Sequence, residues 1–439
     1  MINKTAHYIK QNRARIQQLS KEGSWILFGS AISVLGSLLL VRVLTEYLQP
    51  AEYGDLALGL TIAGLVNQVA MGGVTSGIGR FYSIATEKGD LWGYLSASKR
   101  LMGYATLGVA AIALVLMTGL FATGQSQWMG LAAAVFVFSI LSGYNSALGG
   151  IQNAARQRAI VALHSGMDAW LKIGLAVGVV LWLGSSSTAV VIGYALSALL
   201  VTSSQLFFLK RLMQRHGGGT HSPCTEDWVR QMWLFSWPMM AGGLFNWGYY
   251  ASQRWALELF VSTADVGKFY ALTQIAYSPF SMAGSLFMSM LIPILYARAG
   301  ALGNHQRIAN VRGILFKIAA LGVGATFLVA GITFFWHEAI FKLLVAKQYH
   351  DVSVYMPMIV IAAGLLQSSM ALGSILTTAN KTKNALPLAI YGQTIIVLLN
   401  MIFTYLYGIT GLIFSMVFGA ALHIIWMYSI IVKHGHVKL

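Results

Sequence analysis

The chain has 439 residues, of which 57% are hydrophobic and only 10% are charged. A soluble domain carries about a quarter charged residues, so the composition excludes an ordinary soluble globular protein. The net charge of +16 is typical of nucleic-acid binding in a soluble protein, but in so apolar a chain we expect it to reflect membrane topology, with no nucleic acid as partner. The single cysteine, Cys224, permits no internal disulfide.

Apolar runs of about 20 residues, long enough to cross a hydrocarbon layer about 30 Å thick, recur along the chain. Because backbone polar groups must be paired within the segment in lipid, such runs form helices. We therefore predict an all-α integral membrane protein with about twelve transmembrane helices in two pseudo-symmetric six-helix lobes. The predicted spans lie near 24–44, 54–76, 101–121, 129–150, 160–183, 187–209, 233–256, 268–294, 313–335, 354–377, 385–406 and 410–432.

Residues 1–23 precede the first span and are basic and polar. Ile9, Ile16 and Leu19 can share one helical face, which favours a short amphipathic helix at the cytoplasmic membrane surface. A frayed tail is the alternative. The segment does not resemble a cleaved signal peptide, because the first apolar run is long enough to span the membrane.

Basic residues are distributed unevenly between the two sides of the predicted bundle. With the N-terminus inside, most of the 29 Lys and Arg residues fall in inside segments. Those in outside segments are Arg42, Arg254, Lys268, Lys342 and Lys347. This positive-inside pattern predicts an even number of spans with both termini in the cytoplasm. Attraction to the anionic headgroups of membrane lipids is a secondary effect of the same charge.

The chain repeats itself at about half its length. At an offset of 212, Ser24, Trp25, Gly36, Arg42 and Glu46 match Ser236, Trp237, Gly248, Arg254 and Glu258. One inserted residue later, Ala51, Gly54, Ile62 and Ala63 match Ala264, Gly267, Ile275 and Ala276. Two copies of one unit are the simplest interpretation. Membrane transporters are often built from such repeats, with the substrate path between them.

Six spans per copy is an even number, so the two copies share one orientation and are related by an axis along the membrane normal. The predicted domains are a cytoplasmic amphipathic segment 1–23, an N-lobe 24–209, a cytoplasmic linker 210–232, a C-lobe 233–432 and a cytoplasmic tail 433–439. The linker contains three consecutive glycines and Pro223, a composition typical of a flexible connection.

The second span ends in a glycine-rich stretch. Gly72, Gly73, Gly77 and Gly79 lie just before Arg80, and each weakens a helix by about 1 kcal/mol relative to alanine. We predict a bent or broken helix end from which Arg80 can turn into a cavity between the lobes. The alternative is close helix packing through small residues, with Arg80 reaching the headgroups.

The fifth span carries the clearest charge signal. His164, Asp168 and Lys172 follow one another at intervals of four residues, so they share one helix face. A lone charge at mid-bilayer costs about 2.5–3.5 kcal/mol, so this face must meet protein or water. One interpretation is a cavity in which Lys172 attracts an anionic group while Asp168 and His164 take up and release a proton. The other is a structural ion pair between Asp168 and Lys172.

Two further charge pairs close the first and seventh spans at the outer side, Arg42 with Glu46 and Arg254 with Glu258. Each has the four-residue spacing of an intrahelical ion pair. The pattern favours interfacial anchors. The functional alternative is an outer gate whose pairs break and re-form between conformations.

The seventh span also carries amide and aromatic side chains that suit sugar hydroxyls and rings, namely Asn246, Tyr249, Tyr250 and Gln253. Their alternative role is in the aromatic belt at the membrane surface. The sequence contains no paired-carboxylate site, nucleophile motif, phosphate loop or metal-ligand spacing. We therefore predict a protein that is not an enzyme, with no catalytic residues, cofactor or metal.

Four segments carry a family pattern: the stretch RVLTEYLQPAEYGDLAL from Arg42, IGRFYS from Ile78, SQRW from Ser252 and ADVGKFYAL from Ala264. These segments resemble Wzx-type polysaccharide and O-antigen flippases of the multidrug/oligosaccharidyl-lipid/polysaccharide (MOP) exporter superfamily, which have MATE-like folds. The resemblance covers most of the chain in layout, with twelve spans, two lobes and cytoplasmic ends. Gln253 stands where the family often carries an aspartate.

The resemblance implies that an undecaprenyl-diphosphate-linked oligosaccharide passes from the inner to the outer leaflet of a bacterial inner membrane by alternating access. A polysaccharide polymerase and a chain-length regulator are implied as partners. We expect Arg80, Lys172, Arg298 and Lys317 to line a cationic cavity that faces inward and lowers the cost of moving the diphosphate through the membrane.

Three alternatives remain open at this point. A cation-coupled multidrug antiporter of the same superfamily should carry acids in its cavity, and here only Asp168 qualifies, offset by Lys172. A lipid II flippase tends to have two more spans. A membrane scaffold for glycan polymerisation, without transport, predicts that charge reversal at Asp168 leaves glycan export unchanged.

Overall fold

The computed structural model describes residues 2–215, 227–299, 305–378, 384 and 387–434. Within these ranges the chain is helical almost throughout and contains no strand. The first ten helices are α1 (Ile2–Tyr47), α2 (Pro50–Glu87), α3 (Leu91–Ala122), α4 (Met129–Ala154), α5 (Arg158–Leu183), α6 (Ser187–Arg215), α7 (Trp228–Phe260), α8 (Thr263–Ala299), α9 (His305–Leu344) and α10 (Met356–Thr378).

The last helical stretch, Gln393–His434, is broken at Gly408, whose φ of 59° and ψ of −142° are not helical. We number its two parts α11 (393–407) and α12 (409–434). Short 3-10 helices precede α4 at Ser126–Trp128 and α10 at Lys347–Tyr355. A π-helical stretch, Leu388–Gly392, leads into α11.

Ten helical stretches of the described chain are long and apolar enough to cross a membrane. One of these, Ile390–Lys433, contains both α11 and α12, and the more polar α7 adds a further helix of 33 residues. Each of the twelve predicted spans therefore corresponds to one helix. The predicted fold class, an all-α membrane protein with about twelve transmembrane helices, is confirmed.

An even number of crossings brings the chain back to the end of the bundle where it started. We call the end that holds the start of α1 and the end of α12 the terminal end, and the opposite end the far end. The odd-numbered helices run from the terminal end to the far end. The α2 start, the α7–α8 connection and the 3-10 helix Lys347–Tyr355 therefore meet at the far end.

The helix bounds extend three of the predicted boundaries. Helix α1 continues without a break from Ile2 to Tyr47, so residues 2–23 and the first span belong to one helix. At the predicted linker 210–232, α6 extends to Arg215 and α7 begins at Trp228. The rest of that linker, 216–226, and the tail residues 435–439 lie outside the described part of the chain.

The glycine-rich end of the second span is a packed helix. α2 contains a π-helical stretch at Val66–Met71 and then continues to Glu87, so its end is not broken at the glycines. A Cβ on Gly73 would lie 2.1 Å from the Met240 side chain of α7, and one on Gly77 would lie 2.5 Å from the Ser236 hydroxyl. The glycines thus let two helices approach closely, which was the alternative to a broken helix end.

Most contacts between helices lie within two sets, the first six helices and the last six, and fewer helices connect the two sets. Within the first six helices, α4 packs on α6 and α1 packs on α5, while in the last six α10 packs on α9 and on the α11–α12 stretch. Contacts between the two sets are made mainly by α2 with α7 and α8, and by α1 with α8. We refer to helices α1–α6 as the first half and α7–α12 as the second half.

Candidate functional site

A polar cavity of about 630 Å³ lies in the first half, between α1, α4, α5 and α6. A second cavity of about 440 Å³ adjoins it toward the terminal end and shares Ser33, Asn153, Val161 and Ser165 with it. Met282 of α8 borders this second cavity, so the second half contributes to its wall. The two cavities form one path from the terminal end toward the middle of the bundle.

The Asp168 and Lys172 side chains lie in this path, as the sequence predicts. The Lys172 Nζ is 2.6 Å from the Asp168 Oδ2, and the two side chains are 23% and 25% exposed. The ammonium also lies 5.6 Å from the centre of the Phe138 ring and 5.9 Å from that of Tyr194, within the range of cation–π attraction. One turn of α5 thus presents a cation and an anion together to the cavity.

These charges lie deep in the bundle. Lys172 is fourteen residues from the start of α5, about 21 Å along a helix about 39 Å long. At that depth an unpaired charge facing lipid would be costly. The cavity and the mutual ion pair explain why the fifth helix tolerates both.

His164 lies one turn nearer the terminal end on the same face. Its ring is 2% exposed, its Nε2 is 3.1 Å from the Ser204 hydroxyl of α6, and it packs edge-on against Phe208. The predicted alignment of His164, Asp168 and Lys172 on one face is present. Of these three side chains, His164 is buried in the cavity wall, and Asp168 and Lys172 extend into the cavity.

The rest of the cavity wall is neutral and rich in hydrogen-bonding groups. It contains Ser33 and Ser37 of α1 together with Ser142, Asn145 and Ser146 of α4. At the boundary of the two cavities Arg158 donates a hydrogen bond to the Asn153 side chain. Hydroxyl and amide groups can exchange hydrogen bonds with sugar hydroxyls without adding charge.

At the far end the two halves meet through a reciprocal pair of glycines. A Cβ on Gly54 of α2 would lie 1.9 Å from the Thr263 carbonyl oxygen, and a Cβ on Gly267 of α8 would lie 2.0 Å from the Pro50 carbonyl oxygen. In the sequence repeat Gly54 matches Gly267, and at the same offset Pro50 matches Thr263. The contact therefore has the symmetry of a two-fold axis between the halves, with backbones closer than any other residue allows.

Hydrogen bonds across the halves surround this glycine contact. The Trp247 and Trp255 indoles of α7 donate to the Thr61 carbonyl oxygen and hydroxyl, at 2.7 and 2.9 Å. The Tyr349 hydroxyl donates to the Leu48 carbonyl oxygen at 2.9 Å. Because these bonds engage the end of α1 and the middle of α2, they hold the two halves together at the far end, on the opposite side from the polar path.

Only one of the two predicted outer pairs forms. Arg42 contacts Glu46, and both side chains are substantially exposed, at 35% and 51%. Arg254 instead donates to the Ala57 carbonyl oxygen at 3.1 Å and lies 4.5 Å from the centre of the Tyr270 ring. Glu258 accepts a hydrogen bond from Thr263. The prediction of an Arg254–Glu258 ion pair is wrong, because Arg254 finds better partners on α2 and α8.

Three of the four predicted cavity cations do not line these two cavities of the first half, so their place in a cavity between the lobes stays a prediction. Arg80, Arg298 and Lys317 are exposed near the terminal end and line neither cavity. Their positions match the alternative in which basic residues mark the membrane boundary. Lys172 is the predicted cation that faces the cavity.

The amide and aromatic residues of α7 are engaged in contacts between helices. Asn246 donates to the Gln68 side chain of α2 at 2.6 Å. Tyr249 and Gln253 are buried, and the Tyr250 and Tyr277 hydroxyls are 3.4 Å apart. These candidates for sugar contact do not line the cavities of the first half.

Sequence reasoning missed the neutral wall of the cavity and the glycine contact. Serines recur on the same face of α1 at Ser30, Ser33 and Ser37, which is a signal that spacing alone could have provided. The role of Gly54 and Gly267 had a signal in the repeat, but the approach of two backbones became evident only in three dimensions.

The fold matches solved transporters over nearly its whole length. A Vibrio cholerae MATE transporter, VcmN, in mutant form, aligns with a TM-score of 0.64 and 16% identity over 95% of this chain and 96% of that one. The MATE multidrug transporter DinF-BH aligns with a TM-score of 0.62 and 15% identity over 95% of each chain. An outward-facing MATE transporter of the MOP superfamily aligns with a TM-score of 0.65, 12% identity, and coverage of 95% and 96%. The chain is therefore a multi-pass membrane protein with the MATE transporter fold.

Its family is defined by sequence. Residues 19–297 match the model of the polysaccharide biosynthesis protein family, and the chain belongs to that family. A search of curated proteins found no match. The resemblance to polysaccharide biosynthesis proteins that the sequence motifs indicated is confirmed, and the fold is the one seen in solved MATE transporters.

Proposed function

We propose that this protein is a flippase that moves an undecaprenyl-diphosphate-linked oligosaccharide unit from the inner to the outer leaflet of a bacterial inner membrane. The observation that carries the proposal is the cavity of the first half. It holds the cation Lys172 among neutral hydroxyl and amide groups deep in the bundle, in a member of a polysaccharide biosynthesis family.

The wall of the cavity suits both parts of such a headgroup. The diphosphate would compete with Asp168 for Lys172, since charge-assisted hydrogen bonds to phosphate oxygens are stronger than neutral ones. Ser33, Ser37 and Asn145 would meet sugar hydroxyls. The lipid tail would stay in the bilayer through a lateral opening, so that only the polar headgroup is removed from water.

Asp168 would couple this binding to a proton. When an anion takes Lys172, the Asp168 carboxylate loses its ion-pair partner and becomes available to the coupling proton. His164, one turn away on the same helix face, would relay the proton toward the terminal end.

Transport would follow from rocking of the N-lobe, 24–209, against the C-lobe, 233–432. The reciprocal contact of Gly54 and Gly267 would part in the opposite conformation. Arg254 would then leave the Ala57 carbonyl and could pair with Glu258, while Arg42 and Glu46 stay paired at the surface. With both termini in the cytoplasm, the terminal end faces the side where the cargo is made, and a polymerase and a chain-length regulator would act on it after transfer.

The test is the fate of lipid-linked glycan in cells that lack the protein. We expect undecaprenyl-diphosphate oligosaccharides to accumulate on the cytoplasmic leaflet of these cells. Lys172→Glu, expressed in the same cells, should restore export about 100-fold less well than the wild type. A double variant, Asp168→Lys with Lys172→Asp, keeps an ion pair but moves the cation one turn along α5. If this swapped pair restores export fully, the charges serve structure only and the cavity does not bind the headgroup.

A cation-coupled multidrug antiporter is the second candidate, favoured by one observation. The Asp168 carboxylate lies in the open cavity, where it can attract a cationic drug. This function predicts that loss of the protein leaves glycan export intact and makes cells sensitive to cationic dyes. Asp168→Asn would then reproduce the sensitivity, and Lys172→Gln would not.

A further inference from the structure

A third large cavity lies apart from the polar path of the first half. It is a groove of about 550 Å³ between α2, α3 and α7. Helix α4 lies between this groove and the polar cavity, since it packs on α2 and α3 and also on α6. The groove is therefore separate from the path that would hold the transported headgroup.

The groove is apolar and opens sideways. Its wall includes Val74 of α2, Tyr104, Gly108 and Ile112 of α3, and Trp233 of α7. Tyr104, Ile112 and Trp233 are 63%, 59% and 46% exposed. An apolar surface on the side of a transmembrane helix faces hydrocarbon, so the natural occupant of this space is a lipid chain.

The length of the groove matches one leaflet. Along α3 it extends from Leu101 to Ile112, a rise of about 16 Å. Half of a hydrocarbon layer about 30 Å thick is about 15 Å. One acyl chain that enters from the terminal end would fill the groove and end near the middle of the membrane.

The terminal end of the groove is cationic. Arg230 lines it, its side chain is exposed, and exposed Lys99 and Arg100 precede Leu101 on α3. Asp227 also lines this end, but it caps its own helix by accepting a hydrogen bond from the Arg230 backbone N–H at 3.0 Å. Basic pockets between transmembrane helices at this depth bind anionic headgroups.

We propose that this groove binds one acyl chain of an anionic phospholipid whose headgroup phosphate lies against Arg230. The walls come from both halves, α2 and α3 on one side and α7 on the other. The lipid therefore bridges the halves beside the close contact of Gly73 with Met240, and its affinity changes when they rock. The site is independent of what the protein transports.

The experiment uses Trp233 as the reporter. The full chain is placed in bilayers that contain either brominated phosphatidylglycerol or brominated phosphatidylcholine at equal mole fraction. The contribution of Trp233 is the difference between the fluorescence quenching of the wild type and that of Trp233→Phe. We expect an apparent affinity about fivefold higher for the anionic lipid, as one basic residue near a headgroup provides.

Two pairs of variants distinguish binding of the lipid headgroup from binding of the acyl chain. Arg230→Gln removes the preference for the anionic lipid, whereas Lys433→Gln, at the exposed end of α12, leaves it unchanged. Gly108→Phe fills the groove, because a Cβ there meets open space, and reduces the quenching of Trp233 by both lipids. Gly119→Phe, at an equally open position of the same helix outside the groove, has no effect, and Gly108→Leu serves if the larger side chain prevents folding.

Two results overturn the proposal. Equal quenching of Trp233 by both lipids in the wild type shows that no anionic headgroup is selected. Unchanged quenching in folded Gly108→Phe or Gly108→Leu shows that the chain does not enter the groove.

Discussion

The two halves of this protein share a helix layout but differ in what their interiors contain. The first half holds Asp168 and Lys172 at about a quarter exposure, beside an open cavity. In the second half Asn400 is fully buried, donates to the Ser252 hydroxyl at 2.9 Å and accepts from the Ser415 hydroxyl at 2.6 Å. The ion pair of the first half thus lies beside open space, whereas the cluster around Asn400 is neutral and its side chains satisfy one another's hydrogen bonds.

The same contrast appears at the far end between repeat-related arginines. Arg42 pairs with Glu46 at the surface, whereas Arg254 inserts between the halves, against the Ala57 carbonyl and the Tyr270 ring. The same position of the sequence repeat therefore forms an external ion pair in one half and a contact between the halves in the other.

The largest change in stability is expected when a charge is placed in the closed interior of the second half. We expect Asn400→Asp to lower the free energy of unfolding by about 3–5 kcal/mol, because a buried carboxylate would have no cation. Asp168→Asn in the first half should change it by less than about 1 kcal/mol, since the cavity solvates the lysine left behind. Thermal unfolding of the two variants in one detergent measures the difference. Equal shifts would contradict the distinction between an open and a closed interior.

Because the contact of Gly54 with Gly267 is reciprocal, the same substitution at either glycine should lower the stability by a similar amount. Gly54→Val and Gly267→Val each force a side chain against a carbonyl oxygen of the other half, and each should cost about 1–3 kcal/mol as overpacking. Gly103→Val, where a Cβ meets no atom within 4 Å, is the control. The measurement is thermal unfolding together with labelling of a cysteine introduced at the far end. A large effect at one glycine only would exclude the two-fold contact.

Substitution of the two repeat-related arginines should lower the free energy of unfolding by unequal amounts. Arg254→Gln removes a hydrogen bond and a cation–π contact between the halves, and should lower the free energy of unfolding by about 1–2 kcal/mol. Arg42→Gln removes an exposed pair, worth less than about 0.5 kcal/mol. Chemical denaturation of both variants tests the order, and a larger loss for Arg42→Gln would reverse the roles assigned to them.

The smallest effect is expected at the exposed rim of the far end. Lys268 and Asp351 are 2.5 Å apart, and the Asp351 side chain is 57% exposed. Lys268→Gln should therefore cost less than about 1 kcal/mol, and the cost should vanish at about 1 M salt, where charges are screened within about 3 Å. A cost that persists in high salt would show that Lys268 acts through packing.

Sequence patterns predicted the parts of this structure that one helix decides by itself. Hydrophobic length located all twelve spans, and the cost of charge in lipid singled out Asp168 and Lys172 as a pair on one helix face. The partners of Arg254 lie on α2 and α8, so the spacing to Glu258 could not reveal them. The predicted place of Arg80, Arg298 and Lys317 in a cavity had weaker support, because a basic residue at a helix end indicates the membrane side and not the surface that its side chain faces.

The π-helical stretch Val66–Met71 determines which face of α2 the residues after it occupy. In an uninterrupted α-helix, Gly54 and Gly73 would point about 100° apart, since nineteen residues exceed five turns by about one residue. A π turn accommodates one extra residue, which brings Gly54 and Gly73 back to the same face. The single inserted residue thus lets one helix present close-packing glycines to α8 at one end and to α7 at the other. Deleting one residue from this stretch would rotate the second part of α2 away from its partner α7.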